Sequence, residues 1–122
     1  MKKKILIVDD EPGIVRLLTT RLKVKGYEVF EAYDGLEGVK IAIKKIPDLI
    51  LMDIKMPHGG GIRAFERLIQ IDSTNEIPVI FMTAFPTKEI TAQVLKMGAK
   101  DCISKPFISK DFEDTIEKVI GL

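Results

Sequence analysis

Five polar residues that could share one reaction each stand at the carboxyl end of a candidate strand. Asp9 and Asp10 follow Ile5-Leu6-Ile7-Val8, and Asp53 follows Leu49-Ile50-Leu51-Met52. Thr83 follows Pro78-Val79-Ile80-Phe81-Met82, and Lys105 follows Asp101-Cys102-Ile103-Ser104. A carboxylate can attack phosphorus and become an acyl phosphate. Three carboxylates held together repel one another, an arrangement that a cation relieves, and an all-oxygen donor set favours magnesium. A lysine supplies a point charge for a phosphate oxygen and a threonine hydroxyl can donate to another. The types therefore fit phosphoryl transfer onto Asp53, with Lys105 and the metal offsetting charge on the equatorial oxygens.

That chemistry requires elements that bring positions 9, 53, 83 and 105 together. Apolar runs with the length of strands buried on both faces alternate with longer segments of helical spacing. After the first run, Ile14, Leu17, Leu18 and Leu22 mark a helical stripe that Gly26 stops. Tyr27 to Ala32 reads as a second strand. Asp34 with Glu37 three residues on is a capping pattern for a helix whose inner face carries Leu36, Val39 and Ile43, closed by Pro47. The later helices carry Ile62, Phe65 and Ile69; Ile90, Val94 and Met97; and Phe112, Ile116, Val119 and Ile120. Five strand–helix units predict a doubly wound α/β fold, (βα)5, with a five-stranded parallel sheet covered on both faces. In such sheets the ligand crevice lies outside the carboxyl ends of the strands. All five polar residues fall at that edge.

Composition sets the frame. The 122 residues fit a single domain, 1–122, with a core that needs no metal or disulfide staple. Nineteen Lys and Arg against 18 Asp and Glu leave a formal charge of +1, which gives no whole-domain reason to expect direct nucleic-acid binding. The apolar start is broken by Asp9-Asp10-Glu11 well short of a signal peptide or membrane span. With Cys102 as the only cysteine, a cytoplasmic setting is expected. The run Lys2-Lys3-Lys4 reads as solvated surface.

Taken singly, each candidate has a plain structural reading. Asp9-Asp10 before Pro12 serves as a helix start with acid in the first turn, Lys105 as loop surface and Thr83 as a strand end. Their convergence on one edge is what independent structural roles do not arrange. Gly59-Gly60-Gly61 lacks the spacing of a nucleotide-binding loop and reads as a flexible turn.

The sequence also resembles a known family along its whole length, the receiver domains of two-component response regulators, with the flavodoxin-like fold of the CheY group. The matching stretches are Ile5 through Glu11, Asp48 through Pro57, Pro78 through Ala84, Gly98 through Asp101 and Ser104 through Phe107. The resemblance implies that Asp53 accepts a phosphoryl group from a histidine kinase or a histidine phosphotransfer protein. It implies magnesium on Asp10, Asp53 and the Lys55 main-chain carbonyl, with Asp9 acting through water. It also implies a phosphorylation-switched surface of the fourth helix, fifth strand and fifth helix facing a downstream effector, in a monomer or a phosphorylation-dependent dimer. Many relatives carry an aromatic residue on the fifth strand where this chain has Cys102, so the switch is expected to run through Thr83 with that face responding less, or by another route. Lys55 and Phe85 flank the path of the hydrolytic water in this family; neither can orient it, and slow self-dephosphorylation follows.

Three other readings are weighed against this one. A metal-dependent phosphatase would need a cap segment for its substrate, and a flavin carrier would need a Ser/Thr/Gly loop where Asp9-Asp10-Glu11-Pro12 stands. A pseudo-receiver binding module would lack an acid or the lysine. A receiver cut from a DNA-binding transcriptional regulator keeps the same chemistry. On the favoured reading the chain is no enzyme toward an external substrate and catalyses only its own phosphorylation and dephosphorylation.

Overall fold

A computed structural model describes residues 2–56, 60–105 and 110–121. Five strands, β1 (Lys4–Val8), β2 (Glu28–Ala32), β3 (Leu49–Asp53), β4 (Val79–Thr83) and β5 (Asp101–Ser104), pair in parallel in the order β2-β1-β3-β4-β5. The helices α1 (Pro12–Val24), α2 (Gly35–Lys45), α3 (Gly60–Gln70), α4 (Lys88–Met97) and α5 (Lys110–Ile120) alternate with them. Strand order reverses between β1 and β3, which opens a crevice above their carboxyl ends. The expected doubly wound architecture is therefore the observed one.

The sheet divides the core in two, because alternate side chains of each strand point to opposite faces. Leu6, Val8, Ile50, Met52, Val79 and Phe81 pack under α2, α3 and α4. Ile5, Ile7, Leu49, Leu51, Ile80 and Met82 pack under α1 and α5. Phe81, wholly buried, meets Phe65 of α3 edge to face with centroids 5.4 Å apart. Burying each such side chain contributes about 1.5–3 kcal/mol. Local signals agree at the helix ends. The Asp34 side chain accepts from Glu37 N–H at 2.8 Å while the Glu37 carboxylate accepts from Tyr33 N–H at 2.7 Å. Gly26, at φ +98°, follows the end of α1.

Four apolar residues expected to face inward are exposed instead: Leu17, Leu36, Ile43 and Ile69. On α2 the buried stripe is Gly35, Gly38, Val39 and Ala42. A Cβ on Gly38 would come within 2.9 Å of the Val8 side chain, so this helix lies too close to the sheet for a large inward residue. On α3 the stripe is Gly60, Gly61, Ala64, Phe65 and Leu68, and on α1 it is Val15, Leu18 and Leu22. The second strand begins at Glu28, one residue after the expected start, although Tyr27 is buried. Among the described residues, no helix is long and apolar enough to cross a membrane.

Candidate functional site

Asp9, the first residue after β1, is fully buried, as a strand end covered by neighbouring loops must be. Its carboxylate is used on both sides: Oδ1 accepts from Glu11 N–H at 2.9 Å and Oδ2 accepts from the Lys105 ammonium at 2.9 Å. Asp53 ends β3 at 3% exposure, with its Oδ2 3.3 Å from Lys105 Nζ. Thr83 ends β4 and is buried; its hydroxyl oxygen accepts from Phe85 N–H at 3.3 Å. Lys105 follows β5, its N–H bonded to the Thr83 carbonyl at 2.8 Å. Asp10 is exposed, as are Lys55 and Phe85 beyond their strand ends. The structure thus brings Asp9, Asp53 and Lys105 into contact, ties Lys105 to Thr83 through the backbone, and leaves Asp10 and Lys55 at the open rim.

Glu11 has a role that sequence reasoning missed. It stands at the N-cap of α1 with no side-chain cap bond, and its carboxylate instead accepts from Lys105 Nζ at 2.6 Å. Lys105 therefore binds three carboxylates at once. The only local hint was a third consecutive acid before Pro12, since the pairing spans 94 positions. The run Gly59-Gly60-Gly61 was expected to be a flexible turn, and this is corrected at the two glycines that are described: they open α3 and are packed against the chain leaving Asp53. A Cβ on Gly61 would fall 2.1 Å from the Asp53 carbonyl oxygen, and Gly61 N–H donates to the Ile54 carbonyl at 2.8 Å. Gly59 lies outside the described residues, with Pro57, Pro106 and Phe107 of the matching motifs.

Electrostatics follow from this packing. Burial, and then the Asp9 charge, push the Asp53 carboxyl up to about 6, against the opposing pull of Lys105. Burial alone would lower the Lys105 ammonium, but hydrogen bonds to Glu11 and Asp9 and the charge of Asp53 raise it, so it remains a cation at neutral pH. Asp9, Asp10, Glu11 and Asp53 can each turn one oxygen to a common point, all within 4.8 Å of one another. Four carboxylates against one lysine leave the cluster anionic, and hard oxygen donors at this spacing fit a divalent cation of the magnesium type. Cys102, on β5, is half-buried; burial pushes its thiol up more than a hydrogen bond with Thr91 lowers it, so it is no ready thiolate.

A buried aspartate at a strand end, a lysine bridging across the sheet and an acidic rim stand together on a 2-1-3-4-5 parallel sheet, with the donor set of a cation site rather than that of a nucleotide cradle. The chain belongs to the response regulator receiver domain family, whose model matches residues 5–117. Phosphoryl acceptance is the function of this family in two-component signalling, and its members bind magnesium at an acidic pocket. The chain is 38% identical to sporulation initiation phosphotransferase F of Bacillus subtilis, over all of this chain and 97% of that protein. It is 36% identical to the DNA-binding dual master transcriptional regulator RpaA of Synechocystis, over 98% of this chain and 48% of that protein. It spans about half the length of several such curated regulators. Among solved structures, chemotaxis protein CheY4 of Vibrio cholerae superposes with a TM-score of 0.91 at 28% identity, covering 98% and 99% of the two chains.

Proposed function

We propose that Asp53 is the phosphoacceptor of this chain, that residues 1–122 form a single receiver domain, and that the donor is a phosphohistidine on a sensor kinase or phosphotransfer protein. The carrying observation is that Asp53, buried at the end of β3, sits 3.3 Å from the Lys105 ammonium inside a cluster of four carboxylates. One Asp53 carboxylate oxygen forms the bond to phosphorus while the phosphorus–nitrogen bond to the donor imidazole breaks, and the electron pair leaves with that nitrogen. Lys105 exchanges carboxylate partners for a phosphoryl oxygen, offsetting the charge that arrives. Thr83 turns its hydroxyl from Phe85 N–H toward another phosphoryl oxygen and so reports the event to β4. Magnesium held by Asp10, Asp53 and the Lys55 main-chain carbonyl, with Asp9 through water, would neutralise the remaining oxygens and the acidic rim. A related CheY of Borrelia burgdorferi, 28% identical with a TM-score of 0.89, was solved with CheX, BeF3 and magnesium, which supports a phosphoryl-and-metal reading of this pocket.

The domain acts on no external substrate, since the reaction consumes its own Asp53. It works in the cytoplasm, between a kinase and an effector protein, as a monomer or a phosphorylation-dependent dimer, without direct nucleic-acid or membrane contact. A phosphorelay role is supported by the similarity to the Bacillus phosphotransferase. A role as the receiver part of a DNA-binding regulator is supported by the 48% coverage of the longer relatives. Intact mass after incubation with magnesium and acetyl phosphate tests the shared core. One added phosphoryl group in the wild type and none in Asp53→Asn is the expected result; no addition, or addition that survives the substitution, returns the chain to the pseudo-receiver class.

A further inference from the structure

We propose that the groove between α2 and α3 is a docking site for an acidic amphipathic helix of a partner protein. The groove is lined by Gly35, Leu36, Gly60, Arg63, Ala64 and Arg67 around a cavity of about 130 Å³. Its floor is open because three of these residues have no side chain beyond Cβ. A Cβ at Gly35 would already reach the Ala64 Cβ at 3.2 Å, so the two helices touch there and the cavity lies above the contact. Leu36 is 54% exposed and Ile43, two turns further along α2, is 44% exposed. Lys40 falls between them, on the same side of the helix. Across the groove, Arg63 and Arg67 stand one turn apart on α3, both exposed.

Two observations select the occupant. The first is charge. Among the described residues, Lys40, Arg63 and Arg67 form no ion pair, as is true of most exposed cations of the chain, but these three stand around one recess. Glu37, the acid nearest the groove on α2, is occupied with Tyr33 N–H. Three cations against the single exposed acid Glu66 of α3 therefore leave the surroundings of one apolar recess net positive, a pattern complementary to carboxylates placed either side of an apolar anchor. The second is shape. A recess between two helices accepts a side chain projecting from a convex element, the way a helix lies in a groove. A flat anionic bilayer would leave it unfilled. One leucine-sized anchor in the cavity, with Glu or Asp one turn before and after it against Arg63, Arg67 and Lys40, satisfies both.

The test is an amide-shift titration of the full chain with a synthetic helical peptide that presents one leucine flanked by glutamates one turn away on each side. Its control is the same peptide with lysines in place of the glutamates. Shifts centred on Leu36, Ile43, Arg63 and Arg67 with the acidic peptide alone, weakening with added salt, are expected. The double variant Arg63→Ala with Arg67→Ala should bind about tenfold more weakly or worse, as should Leu36→Glu, which adds repulsion without removing an arginine. Both variants should still take a phosphoryl group at Asp53 as the wild type does, which shows the fold intact and separates this test from the phosphoacceptor reading. Equal binding of the two peptides, shifts on another face, no binding at all, or undiminished affinity in both variants would overturn the proposal. So would phosphatidylglycerol vesicles moving these amides when the peptide does not, which would make the patch a membrane surface.

Discussion

Replacing Asp53 by Asn should make the protein more stable at neutral pH when divalent cations are absent. Asp53 is 3% exposed, faces Asp9 and Asp10, and has a carboxyl pushed from 3.8 up to about 6 by burial and those charges. The folded chain therefore holds this proton longer than the unfolded chain does. Stability linked to the group is fully present below about pH 4 and is lost as pH rises through 4 to 6. A shift of about two units corresponds to about 3 kcal/mol at 1.36 kcal/mol per unit. Solvent enters through the exposed Asp10 and Glu11, and that screening reduces the expected gain to about 1–2 kcal/mol. For a domain of this size such a gain raises Tm by about 3–10 °C. The amide keeps the carboxylate's shape, and Lys105 retains Asp9 and Glu11, so little packing is lost. Thermal and urea unfolding of both proteins in EDTA at pH 4, 5, 6 and 7 should show a gap that is absent at pH 4 and full by pH 7. Millimolar magnesium should close the gap by stabilising the wild type selectively. A variant no more stable than the wild type at pH 7, or a gap of the same size at pH 4, would refute the reasoning.

Three further outcomes follow. Gly61→Ala should cost about 2–4 kcal/mol, because its Cβ would meet the Asp53 backbone oxygen at 2.1 Å and backbone cannot swing aside. Gly13→Ala on α1, where nothing lies within 4 Å, should instead gain about 0.5–1 kcal/mol; urea midpoints compare the two. Lys105→Met should lose about 1–3 kcal/mol in EDTA, since it leaves buried Asp9 and Asp53 without their cation, and should slow phosphorylation by acetyl phosphate at least tenfold; stability or rate at the wild-type level would remove Lys105 from the site. The phosphorylated wild type should decay slowly, and Lys55→Asn or Phe85→Glu should shorten its half-life about tenfold or more by giving the hydrolytic water a polar partner; an unchanged half-life by phosphate release speaks against that role.

The architecture and most of the site were legible because both depend on local pattern. Apolar runs of strand length ending in a polar residue located Asp9, Asp53 and Thr83, the repeat of the strand–helix cycle located Lys105 behind the more polar Asp101–Ser104, and parallel topology put all four on one edge. Helix faces were less legible. Reading inward positions from large apolar residues assigned Leu36 and Ile43 to the core, whereas the contact of α2 with β1 is made by Gly38 and Ala42. Small residues mark close approach, and a hydrophobicity count passes over them. The same blindness hid Gly60 and Gly61, whose value lies in the absence of a side chain beside the Asp53 backbone. Glu11 was visible as a residue but not as a partner, since its bond to Lys105 joins the two ends of the chain.

That long reach has a consequence for synthesis on the ribosome. Lys105 meets Glu11 and Asp9 across 94 and 96 positions. A nascent chain that has emerged only through β4 already carries every carboxylate of the cluster, yet has no lysine to hold them. The edge of the sheet is then electrostatically incomplete, and the late arrival of β5 supplies its counter-charge. The charge balance of the site is thereby tied to completion of β5, so a chain made only through β4 holds the carboxylates of the cluster without the cation that bridges them.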